Sequence, residues 1–138
     1  MNADTVGNTL ATHFNTQMAA LENSVQIVWD NGPRLAALPS QSSGEWVRYS
    51  WRPADDRPAA LGGMLYRGVG VIDVQVFTPL GKGQGRSERI ARSIQTMFRD
   101  QNVGAGIWVR GVSFSHLGEV NGWNQTQVRI SITADEPT

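Results

Sequence analysis

Gly81, Gly83 and Gly85 stand two residues apart, just ahead of Arg86-Ser87 and of a stretch with helical spacing that runs to Phe98. Glycines so placed let backbone N–H groups approach an anion, and a helix N-terminus adds favourable partial charge. A strand, a glycine loop and a helix can therefore cradle a phosphate. The phosphate-loop version needs a Gly-Lys-Ser/Thr ending, whereas Arg86-Ser87 follows Gly85 here. The dinucleotide version needs G-x-x-G spacing and an acidic residue near the end of the next strand, and no such residue can be placed. The pattern favours a tight structural turn, and a small phosphate- or nucleotide-binding enzyme is the least favoured reading.

Other reactive groups are scattered. The chain has no cysteine, which removes thiolate nucleophiles, disulfides and zinc clusters together. His13 and His116 belong to no H-x-x-x-H or H-E-x-x-H pattern, and no G-x-S-x-G elbow presents a serine. Asp55-Asp56 lies between Arg52 and Arg57, where local ion pairing is favoured over metal ligation. Asp73 interrupts an apolar strand, and Gln75 shares its face, so that face is expected to be partly wet. No acid, base and nucleophile assemble, and the expectation is a non-enzymatic chain without cofactor or metal.

Arginine is the better lead. Arg86, Arg89, Arg92 and Arg99 fall on one side of the helix, with Ile90, Ile94, Met97 and Phe98 opposite. Lys82 lies just upstream, and Glu88 and Arg92, four apart, suit a surface pair. Such a stripe is either a solvated face or a surface that meets acidic protein or DNA phosphate, where the planar guanidinium is favoured. No aromatic residue interleaves it, which argues against single-strand stacking. Five tryptophans, Trp29, Trp46, Trp51, Trp108 and Trp123, fall on predicted strands; most suit a core, and one or two suit interface anchors.

The elements that must position these residues follow from periodicity. Val6, Leu10, Phe14, Met18 and Leu21 recur at helical intervals, with Asp4 or Thr5 as N-cap and Asn23-Ser24 as stop. Strands are predicted over 25–29, 45–52, 71–77, 106–114 and 123–132, with a bend at Gly68 and Gly70 and a hairpin-type connection over 116–122. Residues 53–63, with two prolines and a glycine pair, read as a long exposed loop or hairpin tip, and 135–138 as a frayed tail. The order predicts one α+β domain over 1–138, with two helices packed on a mainly antiparallel sheet.

Composition sets outer bounds. Twelve basic and twelve acidic residues give zero formal charge, so no global basic field draws the chain to nucleic acid or anionic lipid. No early apolar run resembles a signal peptide and none reaches membrane-spanning length, so a soluble protein of a reducing cytoplasm is the expectation. Charged residues at 17% suit a subunit that hides part of its surface against neighbours.

In three places the chain resembles the tail terminators of long, non-contractile-tailed bacteriophages. These are the opening helix followed by Val25-Gln26-Ile27-Val28-Trp29-Asp30-Asn31-Gly32, the run Glu45-Trp46-Val47-Arg48 through Trp51-Arg52-Pro53, and Gly70-Val71 through Thr78-Pro79-Leu80-Gly81-Lys82-Gly83 with the helix after it. The closing Val128-Arg129-Ile130-Ser131-Ile132 fits as well. The resemblance implies a virion protein made in the host cytoplasm, assembling as a homo-hexameric ring at the head-proximal end of the tail tube. There it would stop tube polymerisation and dock the head connector or stopper, with genomic DNA passing through its lumen. A head–tail connector or neck protein is the nearest alternative. On this reading Arg86, Arg89, Arg92 and Arg99, with Asp55 and Asp56, are the candidate subunit or partner interface: the first 60 residues carry six acids against four arginines and can face the basic helix of a neighbour.

Overall fold

Strand alternation and helical spacing sort the apolar residues onto shared faces, and those faces determine how the elements pack. A computed structural model describes residues 3–22, 25–29, 44–58, 65–80, 83–99, 103–104, 106–120 and 122–137. Helix α1 (Ala3–Leu21) leads into β1 (Gln26–Trp29), β2 (Trp46–Pro58) and β3 (Leu65–Pro79); helix α2 (Gly83–Phe98) precedes β4 (Ile107–Val120) and β5 (Trp123–Pro137). The strands form one sheet in the order β1-β2-β3-β5-β4, antiparallel except for the β1–β2 pair. This is the α+β architecture expected of the chain.

Both helices lie on one face of the sheet. Val47 and Tyr49 of β2 pair in register with Val76 and Val74 of β3, and Val74 and Ile72 pair with Val128 and Ile130 of β5, so all of these side chains share that face. Val6, Leu10, Phe14 and Met18 of α1 close over them together with Ile90, Ala91, Ile94, Met97 and Phe98 of α2. Phe14 sits at the centre, with ring centroids 4.8 Å from Tyr49, 6.0 Å from Trp29 and 6.4 Å from Phe98. Each such side chain removed from water contributes about 1.5–3 kcal/mol before the entropy of ordering it is counted. Trp51 wedges between helix and sheet. A Cβ on Gly70 would overlap its ring, so that position needs glycine for space, and one on Gly7 would stand a tight 3.0 Å from the same ring.

Several sequence expectations change at element ends. Asp4 and Thr5 lie inside α1, not at its cap. Leu21 is 46% exposed, while the next residue, Glu22, is buried. Gly68 and Gly70 do not bend the chain but continue β3, where Gly70 lies beneath Trp51. The segment expected as a loop from residue 53 is strand as far as Pro58, paired with β3 beyond a bulge between Pro53 and Asp56. Among the described residues β1 pairs with 46–49 alone, so β2 is an edge strand from Ser50 onward and tolerates the prolines. Residues 59–64 lie outside the described set. Residues 116–120 are strand too, so β4 runs to within two residues of the start of β5, with Gly122 at φ 84°. The tail expected to fray continues β5, with Asp135, Glu136 and Pro137 opposite Arg67, Tyr66 and Leu65.

Candidate functional site: charged helix, carboxylate cluster and open edge

The glycine cradle does not form as a loop. Gly83 and Gly85 are already helical, and α2 starts three residues earlier than its apolar spacing suggests; Gly81 and Lys82 lie outside the described residues. A Cβ on Gly85 would meet nothing within 4 Å, so no tight backbone approach requires that glycine.

The arginine stripe divides in two. Arg86 turns inward and is half-buried: its Nε donates to Glu45 Oε1 at 2.7 Å and one terminal nitrogen to Glu22 Oε2 at 3.3 Å. Ser93 Oγ donates to the other Glu22 oxygen at 2.9 Å. The Glu45 hydrogen bond, reinforced by the charges of Glu45 and Glu22, holds the guanidinium more firmly protonated against the opposing cost of burial. The cluster ties α2 to the end of α1 and the start of β2. Arg89, Arg92 and Arg99 point outward. Arg92 pairs with Glu88 at 3.0 Å, and both remain largely exposed, so the pair adds a few tenths of a kcal/mol, about 0.3–0.5. Gly85, Glu88, Arg89, Arg92, Ser93 and Thr96 line an open hollow of about 430 Å³ along this face.

Asp55 and Asp56 are not brought to these arginines. They lie near the far end of β2, whereas Arg86 meets Glu45 just before its start; the nine residues from Trp46 to Ala54 alone span about 30 Å of strand. The Asp55 and Asp56 side chains lie outside the described set.

Asp73 is held as an ion-pair centre. Its Oδ1 accepts from Arg129 Nε at 3.0 Å and Gln127 Nε2 at 3.3 Å, and Arg52 stands 3.9 Å from Oδ2. The expected sharing of a face with Gln75 holds, but the carboxylate is buried beneath its partners. His13 Nε2 donates to the Met97 carbonyl at 2.6 Å, and His116 Nδ1 lies 3.3 Å from Thr126 Oγ1, which donates to Ser87 Oγ. Among the described residues no three histidines or carboxylates gather as a metal site. Burial pushes the Tyr49 phenol well above its ordinary value; its hydroxyl, like the Trp51 indole nitrogen, is buried without a hydrogen-bond partner.

The sequence reading missed two features. One is the pair of distant acids, Glu22 and Glu45, that takes Arg86 inward; no local spacing signals it. The other is the open edge. Among the described residues β4 ends the sheet, with β5 as its one strand partner and a single bridge from Ile107 to Gly104, and it carries Trp108 (43% exposed), Phe114 (38%) and Leu117 (45%). Trp108 is thus the most exposed tryptophan among the described side chains, and Trp46 and Trp123 are buried. Register is the only signal for this edge, since the β4 sequence alone does not say which strand comes last.

Comparison with known proteins adds three findings. A family model described as "Phage tail terminator protein" matches residues 32–131. One solved structure, known by a number alone, is similar over 97% of this chain and 96% of its own, with a TM-score of 0.71 and 20% identity, a likeness that shows the fold. The comparison with curated proteins yields no match.

Proposed function

We propose a role on one premise: the chain belongs to the phage tail terminator protein family, a structural, non-enzymatic family of the bacteriophage tail. The chain forms a homo-hexameric ring at the head-proximal end of the tail tube, stops tube growth there and presents the surface on which the head connector docks. The family match over 32–131 carries this reading.

Two surfaces support ring assembly. A ring closed by rotation joins two different patches on each subunit. The β4 edge, which no other described strand pairs, carries Trp108, Phe114 and Leu117 and supplies backbone hydrogen-bonding groups and apolar anchors of the kind a neighbouring subunit covers. The outward arginines of α2, Arg89, Arg92 and Arg99, supply a second and chemically different patch, and Arg86 drops out of it. The test is electron microscopy of particles from a phage lacking this gene. Overlong, headless tubes are the expected result. Tails of normal length beside unattached filled heads would instead assign the chain to the connector.

A further inference from the structure

The sheet face turned away from the helices carries a surplus of positive charge. Alternation sends Arg48 and Arg52 of β2 and Arg129 of β5 to this face, in register with Gln75, Val71 and Asp73 of β3. Arg110 of β4 joins them through its Nε, which donates to Thr133 Oγ1 at 3.2 Å. Against these four guanidiniums the described side chains of the face supply one carboxylate, Asp73, shared between Arg129 and Arg52. Arg48 and Arg110 each stand 5.9 Å from the ring of a tryptophan, Trp46 and Trp108, which orients a guanidinium without neutralising it. In a chain of zero net charge, this is a local concentration of positive charge on the face to which neither α1 nor α2 packs.

We propose that this face binds the phosphate backbone of duplex DNA. The arginines span four neighbouring strands, β2 to β4, or about 14 Å at the usual strand spacing. That is close to the roughly 12 Å width of the major groove, so Arg48 and Arg52 reach one rim and Arg110 the other. Gln75, Gln127 and Ser131 project between them, Ser113 and Ser115 lie on the same strand as Arg110, and all five offer the neutral hydrogen bonds that accompany phosphate contacts. A sheet face sends neither helix nor ribbon into a groove, so the binding is indifferent to base sequence. This inference goes beyond the tail reading and rests on the charge of the face; tail length tests one and DNA binding the other, so either can fail alone.

The test is fluorescence anisotropy of a labelled duplex titrated with the purified chain between about 50 and 200 mM salt. Three to four neutralised phosphates predict a slope of log K against log salt near −3, equal for two unrelated duplex sequences. Arg48→Ala with Arg110→Ala reduces that slope by about two, while Arg48→Lys with Arg110→Lys retains it; circular dichroism verifies that both variants are folded. Absence of salt-dependent binding by the natural chain would overturn the proposal. So would a slope unchanged in the alanine variant, or one lost instead through Arg89→Glu with Arg92→Glu, which would place the contact on α2.

Discussion

Along β3, Ile72, Val74 and Val76 point to the helices and are fully buried, while Asp73 and Gln75 between them point to the opposite face. The same alternation runs through β5, where Val128, Ile130 and Ile132 enter the core and Gln127, Arg129 and Ser131 do not. One face is joined by apolar contact and ring packing around Phe14 and Phe98; the other is joined by a shared carboxylate and a satellite cluster in which Trp46 stacks on Phe77 at 4.0 Å with Trp123 at its edge. The helix-covered face determines whether the chain folds, and its chemistry is spent internally. The other face holds Asp73 in hydrogen bonds and ion pairs and leaves Arg129 and Ser131 exposed, so residues one position apart differ sharply in what their loss does.

The largest expected effect lies on the covered face. Phe98→Ala removes a fully buried ring that packs on Phe14 and His13, and should cost about 3–5 kcal/mol in denaturant unfolding. Arg129→Ala on the other face leaves Asp73 with Gln127 and the more distant Arg52, and should cost about 1–3 kcal/mol. A larger loss for Arg129 than for Phe98 would break the comparison. Tyr49→Phe sharpens it through pH. The raised phenol stays protonated in the fold while the unfolded chain ionises near pH ~10, so stability holds below that pH and falls as pH rises above it. Tyr49→Phe should flatten this alkaline loss in thermal melts and, because the hydroxyl has no partner, leave neutral-pH stability within about 1 kcal/mol. Ser131→Ala, exposed on the face away from the helices, should stay within about 0.5 kcal/mol by the same measurement.

How far these faces were legible in the sequence depends on the range of the cause. The apolar stripe of α1 from Val6 to Met18 and the buried side of α2 follow from spacing alone, and both appear in the core. Local chemistry fails where a distant partner decides. Arg86 matches Arg89 and Arg92 on a helical wheel, yet Glu22 and Glu45, 64 and 41 residues away, draw it inside. Pro53 and Pro58 read as loop because a proline cannot donate within a ladder, but that argument lapses where β2 is an edge among the described strands. Gly70 reads as a bend, and its actual cause is the Trp51 ring across the sheet. The candidate site was half visible: the stripe could be read, while the β4 edge and the four-arginine face depend on strand order.

The central claim is that this chain ends tube growth, and the most direct measurement is of tube length in vitro. Tube subunits of the same phage would be allowed to polymerise with increasing amounts of the purified chain, and lengths measured by electron microscopy. The account predicts that mean length falls as the proportion of this chain rises and that the chain is found at tube ends. A length distribution unaffected by the chain at every ratio would contradict it.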